Sequence, residues 1–194
     1  MIDWTWLDLR PCLIAIAGPN GAGKTTFHEA HIAPAGLPFI NANRLAQGLD
    51  VNAYDAAQIA SHIREGLVHR KESFAFETVF SDPVGEKVRF LKEAQSHGFN
   101  VTLCFIGIDG AQLSEERVAM RVTQGGHDVP SEKLKARFPR TLANLKSAAT
   151  QLAHVLIFDN SDLASPFRLI AVYKDGAPIS CVRQPPAWFD QALA

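Results

Sequence analysis

Leu13-Ile14-Ala15-Ile16-Ala17-Gly18-Pro19-Asn20-Gly21-Ala22-Gly23-Lys24-Thr25-Thr26 is an apolar run that breaks into glycines and closes on a lysine and two threonines. From Gly18 the spacing is glycine, four variable positions, then Gly23-Lys24-Thr25, which satisfies GxxxxGK[ST] at every fixed position. The run before it reads as a buried strand and the residues after it as a helix, the setting that this motif requires. Glycines let the backbone curl so that successive N–H groups point inward at phosphate oxygens. The helix N-terminus adds a favourable dipole. Gly18, Pro19, Asn20, Gly21, Ala22, Gly23, Lys24, Thr25 and Thr26 are therefore the expected nucleotide-binding residues. Lys24 is expected to reach the β- and γ-phosphates and the Thr25 hydroxyl to ligate Mg²⁺, so ATP and Mg²⁺ are the implied cofactors.

On either side of this loop, strand-like and helix-like segments alternate, the signature of an α/β fold on a mostly parallel sheet. Buried strands are expected at residues 12–17, 38–41, 73–79, 101–108, 155–158 and 169–173. Residues 178–182 can return as an edge hairpin through the turn dipeptide Asp175-Gly176. Helices are expected at 23–30, 55–70, 85–97, 114–123 and 131–154. The fourth should start at a capping Ser114 and the last should kink near Pro139. From Gln184-Pro185-Pro186 onward the chain reads as an appended extended tail. The 194 residues suit a single domain with its core at about 11–175 and a tail at about 184–194.

Composition narrows the classes. With 47% hydrophobic and 20% charged residues the chain is an ordinary globular protein. A net charge of −1 gives no electrostatic reason for general binding to nucleic acid or an anionic membrane. Cys12, Cys104 and Cys181 lack metal-ligand or CxxC spacing and read as reduced, mostly buried thiols, which with the absence of a basic leader suggests a cytoplasmic protein. The glycine loop alone does not separate transporter ATPases, GTPases, motors and kinases. The lack of LSGGQ-like and NKxD-like strings argues against the first two, and the size argues against a two-lobed motor.

Several further strings point one way. Ile40-Asn41-Ala42-Asn43, FAFETVFS at 74–81, RVAMRV at 117–122 followed by GGHDVP at 125–130, RFPRTLANL at 137–145 and FDNS at 158–161 occur in this order. Together with the glycine loop they resemble the zeta-toxin family of P-loop kinases in its short form, over residues 13–161. The resemblance implies a nucleotide-kinase-like three-layer sandwich. It also implies transfer of the γ-phosphate of ATP to a hydroxyl of a UDP-amino sugar such as UDP-N-acetylglucosamine, and a possible antitoxin partner.

Phosphoryl transfer asks for positioning and charge neutralisation more than covalent chemistry. In the family pattern an aspartate stands where this chain has Asn43, and it serves as the base; an amide orients a hydroxyl but takes no proton at neutral pH. Glu77 ends an apolar strand, where ligands of parallel sheets bind, and the resemblance implies a substrate or magnesium role for it. Thr78 and Ser81 are weaker hydrogen-bonding candidates. Asp109 after the fourth strand resembles a Walker B carboxylate for Mg²⁺, although Asp109-Gly110 is also a turn dipeptide. Arg117 and Arg121 share a helix face, as do Arg137 and Arg140, and guanidiniums suit phosphate. They flank Gly125-Gly126-His127-Asp128, which has lid-like glycines and places His127 against substrate. Lys24, Asn43, Glu77, Arg121 and Arg137 are the expected catalytic residues; Arg117 and Arg121 assist ATP; Asn43, Glu77, Thr78, Ser81, His127 and Arg140 bind the acceptor. Two alternatives stay open: an ATP-binding module that has lost transfer because of Asn43, and a kinase of another small hydroxyl or a polynucleotide end.

Overall fold

The computed structural model describes residues 5–123, 125 and 129–193. Seven strands form one sheet: β1 Cys12–Ala17, β2 Phe39–Ile40, β3 Phe74–Thr78, β4 Asn100–Gly107, β5 His154–Asp159, β6 Arg168–Lys174 and β7 Ala177–Cys181. Their order is β2-β3-β1-β4-β5-β6-β7. The first five run parallel, β6 is antiparallel to β5, and β7 pairs antiparallel with β6. The chain leaves β1 for one side of the sheet and later crosses to β4 on the other, so β1 sits at a topological switch point. Open parallel sheets bind ligands in the crevice at such a point, beyond the carboxyl ends of the strands. The glycine loop lies there.

The strands read as near-continuous apolar runs because both faces are covered. Burial runs without alternation along β4 from Val101 to Gly107 and along most of β1 and β5. Helices α1 Lys24–Phe27, α2 Ala42–Leu49, α3 Ala53–His69, α4 Glu86–Ser96, α5 Gly110–Thr123, α6 Ser131–Gln151 and α7 Ala187–Leu193 make up the outer layers. No described helix is long and apolar enough to cross a membrane.

Four expectations need correcting. Residues 42–49, for which no helix was expected, form one, capped by the Asn41 side chain, which accepts from the amides of Asn43 and Arg44; Ala42, Leu45, Ala46 and Leu49 fall at helical spacing, but over only two turns. Helix α5 begins at Gly110, four residues early, so Ser114 is no cap: it is buried, and its hydroxyl donates to the Asn20 carbonyl at 2.7 Å. Helix α6 ends at Gln151, because His154 already belongs to β5, where its ring stacks on Trp6 at 3.8 Å. The tail is not extended. Residues Ala187–Leu193 form α7, which carries the fully buried Trp188 onto the sheet. The hairpin of β6 and β7 is as expected, with Asp175 and Gly176 at positive φ in its turn. Cys12 and Cys104 are buried and Cys181 is exposed; burial pushes the Cys104 thiol up to about 12.

Trp188 ties the end of the chain to the site. Its indole lies on Gly107, where an added Cβ would come within 2.1 Å of the ring, so the position has no room for a side chain. Its Nε1–H donates to Asp159 Oδ1 at 2.9 Å. Trp188→Ala should lower unfolding stability by about 3–5 kcal/mol, the usual cost of deleting a buried aromatic ring. A denaturant midpoint unchanged from the parent would refute this packing role.

Candidate active site

The loop after β1 is held in a shape only glycine permits at its start. Gly18 has φ 145°, and a Cβ there would lie 2.1 Å from the Ile106 carbonyl oxygen of β4. Two neighbours then brace the loop. Ser114 of α5 donates to Asn20, and the Asn160 amide after β5 donates to the Ala22 carbonyl at 2.9 Å.

Lys24 and Thr25 open α1. Lys24 is 6% exposed, and its Nζ donates to the Pro19 carbonyl at 2.9 Å. Burial lowers its pKa, the Glu77 carboxylate opposes that shift, and the Arg121 guanidinium adds to it. Glu77 lies near the end of β3. Its Oε2 accepts from the Thr25 hydroxyl at 2.7 Å and from the Asn41 side-chain amide at 2.9 Å. Lysine, threonine hydroxyl, carboxylate and carboxamide therefore converge on one point at the switch in the sheet. Asn41 is a residue that sequence reading passed over in favour of Asn43. The signal was the strand-end position itself, since Asn41 both caps α2 and holds Glu77.

Two clefts meet there. One, of about 780 Å³, is lined by Gly21, Gly23, Thr26, Arg117, Arg121 and the segment from Asn160 to Phe167 among others. Arg117 donates to the carbonyls of Asn160 and Ser161 at 2.7 and 2.9 Å, so it shapes this wall. Asp159 is not free to face the cleft: Trp188 and Ser161 donate to its Oδ1, and Arg168 lies 3.5 Å from Oδ2. The second cleft, of about 560 Å³, is lined by Asn20, Asn43, Thr78, Ser81, Arg121, Arg137 and Arg140, with Lys87 and Lys133 adding two more cations. Its floor, from Val79 to Asp82, is held by α6: Thr141 donates to the Val79 carbonyl at 3.0 Å and Asn144 to those of Phe80 and Asp82 at 2.9 Å. Arg121 lines both clefts.

The structure thus brings together Lys24, Thr25, Glu77 and Arg121, and places Asn43, Thr78, Ser81, Arg137 and Arg140 around the second cleft. Arg117 lies on the first. Asp109 stands apart: it is exposed, immediately before α5, and lines neither cleft. His127 and most of the expected lid lie outside the described residues.

A glycine-loop cradle at the switch point of a 2-3-1-4-5 parallel sheet, opening on two adjoining clefts, defines a P-loop protein of the kinase type. Residues 39–168 match the family described as Zeta toxin, about two thirds of the chain, and the protein belongs to that family. The match begins at Phe39, so the glycine loop stands outside it as a separate line of agreement. An uncharacterized protein of Haemophilus influenzae is 27% identical over 130 residues, 64% of this chain and 91% of its own length. Among solved structures, the AvrRxo1-ORF1:ORF2 complex with ATP superposes with a TM-score of 0.71 at 17% identity, over 90% of this chain and 61% of that one. The PezAT toxin–antitoxin system of Streptococcus pneumoniae superposes with a TM-score of 0.58 at 16% identity, over 77% of this chain and 69% of that one. At these identities the likeness is one of fold. This chain also spans only about three fifths of the AvrRxo1 chain.

Proposed function

We propose that the protein is an ATP-dependent phosphotransferase that moves the γ-phosphate to a hydroxyl of a small anionic acceptor of the UDP-amino-sugar class. The observation that carries this reading is the position of Arg121. It borders both clefts and acts electrostatically on Lys24, so a phosphoryl group crossing between the clefts passes a lysine and an arginine. Such charges stabilise the equatorial oxygens of the transferring group. In this assignment the first cleft takes the adenosine side and the second the acceptor. The cations Arg137, Arg140, Lys133 and Lys87 suit the diphosphate of a sugar nucleotide. The ATP in the AvrRxo1 structure agrees with the nucleotide assignment.

The donor set also fits Mg²⁺. Thr25 Oγ1 and Glu77 Oε2 lie 2.7 Å apart, and this hydroxyl and carboxylate are the oxygen donors that would hold a small divalent ion. Such an ion would supply neutralisation of the phosphate charge, with Thr25 and Glu77 as the residues that would hold it. The chain's own contribution to proton removal is weak. Asn43 is exposed at the mouth of the acceptor cleft and orients the hydroxyl without accepting its proton. A loose transition state needs little base assistance, so transfer survives this substitution. The toxin–antitoxin and two-chain neighbours support a restraining partner protein as part of the same reading.

The test is incubation with γ-labelled ATP, Mg²⁺ and a panel of sugar nucleotides. Label is expected on a UDP-sugar. Protein that binds ATP yet labels none of the panel overturns the acceptor assignment. If base assistance is minor, Asn43→Asp is expected to change the rate of an already active protein by less than about tenfold, below the roughly 10²–10⁴-fold of a fully used general base. If the unaltered protein is inert and Asn43→Asp is active, the natural chain is an ATP-binding module instead.

A further inference from the structure

Beside the acceptor cleft lies a smaller chamber of about 170 Å³. Asn43, Thr78 and Lys87 line both spaces, so the two are continuous. Its other walls include Asn41, Glu77 and Arg64.

Arg64 is unusual. It stands on the inner face of α3, 6% exposed, with its guanidinium over the Phe76 ring at 5.0 Å and the Phe90 ring at 5.7 Å. It makes no salt bridge among the described residues, and its buried Nε has no hydrogen-bond partner. The two carboxylates that act on it, Glu65 and Glu86, are both exposed and otherwise engaged, with Ser61 and Lys87 respectively. A buried guanidinium with no carboxylate partner is costly, and the two ring faces offset only part of that cost. An apolar residue between two phenylalanines would avoid that cost. The stacking holds the planar fork in place, and Nε is left without a hydrogen-bond partner.

We propose that Arg64 is a specificity residue that binds a carboxylate carried by the acceptor's sugar ring, so that the preferred substrate is an acidic sugar nucleotide. This rests on the UDP-sugar part of the acceptor reading above and narrows it by an acid group on the sugar rather than by its amino group. The diphosphate is already served by Arg137, Arg140 and Lys133 at the larger cleft, which leaves the smaller chamber for a substituent of the sugar. A guanidinium fork matches a carboxylate bidentately. Glu77 shares the chamber, so a singly charged carboxylate fits better than a doubly charged phosphate. Glu77's own charge faces Lys24 and its Oε2 is taken by Thr25 and Asn41.

The experiment is calorimetry at saturating Mg²⁺–ADP with three ligands: UDP-glucose, UDP-N-acetylglucosamine and UDP-glucuronate. UDP-glucuronate should bind roughly tenfold or more tightly than either neutral sugar, the scale of one charge-assisted bidentate contact. Arg64→Met should erase that ratio while ADP still binds. Should Arg64→Met fail to bind ADP, Arg64→Lys decides: the ratio should fall several-fold, because a point charge lacks the fork. Equal binding of all three ligands, preference for the acetamido sugar, or a ratio that survives replacement of Arg64 overturns the carboxylate subsite alone. If no sugar nucleotide binds to protein that binds ADP, the acceptor reading falls and takes the subsite with it.

Discussion

Under the proposed phosphotransfer, Lys24→Ala should reduce the rate by about 10³-fold or more, because it removes the lysine of the glycine loop from a site that would act by electrostatic positioning. The structure says why this residue and not a neighbour carries that charge. Its Nζ is buried, the charges of Glu77 and Arg121 act on it, and among the described residues its Nζ hydrogen-bonds to a carbonyl of the loop itself. A charge held in that way is ready to leave Pro19 for a phosphate oxygen without disturbing any side chain. Arg121 is the natural candidate to compensate for its loss, but it approaches from α5 across both clefts. Arg121 is therefore suited to the γ-phosphoryl in transit, not to the β–γ bridge. The fold should tolerate the change, since the loop keeps its braces from Ser114 and Asn160. The measurement is the rate of label transfer beside a thermal melt. Retention of more than about a tenth of the parent rate would remove Lys24 from the transfer step.

How much of this was legible in the chain differs from residue to residue. The motif at 18–25 and the apolar runs beside it announce the sheet, because strands buried on both faces must be apolar throughout. The order of the strands is not written in any one of them; it follows from which helices cross which face. Glu77 was readable as a strand-end carboxylate. Its contact with Thr25 was not, since that depends on β1 and β3 being neighbours in register, with Ala17 opposite Thr78. Asp109 was misleading for the same reason. It also follows a buried strand, but β4 delivers it to the exposed start of α5. Ser114 looked like a helix cap because a hydroxyl followed by two acids has that pattern, and only packing shows that it braces the glycine loop. The tail was the hardest part. Pro185-Pro186 suggests an extended segment, yet the bare Gly107 on β4 leaves a slot that fits the Trp188 ring. That complementarity links residues 81 positions apart and has no local signature. Arg64 was invisible for the opposite reason, since on sequence it is one more charge on an amphipathic helix.

Glu77→Gln should lower the transfer rate by about 10²–10³-fold, while Asp109→Asn changes it by no more than about twofold. Both residues are acids at the ends of parallel strands, and on sequence Asp109 has the better claim to the metal. Geometry reverses the ranking. Glu77 Oε2 lies at hydrogen-bond distance from the Thr25 hydroxyl, and its charge offsets the burial of Lys24. Glutamine preserves the shape and one acceptor oxygen, so Asn41 and Thr25 keep a partner and α2 stays capped. What it removes is the negative charge, so the defect should appear in the rate and in the Mg²⁺ concentration needed for half-maximal activity. ADP binding measured without metal should be largely preserved. A structural role alone would instead lower the melting temperature and leave the metal requirement where it was. The opposite pattern, a tolerant Glu77 and a crippled Asp109→Asn, would move the metal site to the head of α5. Arg121 would then lose its place as the charge that spans the two clefts, since the reacting phosphate would have to lie on the other side of the loop.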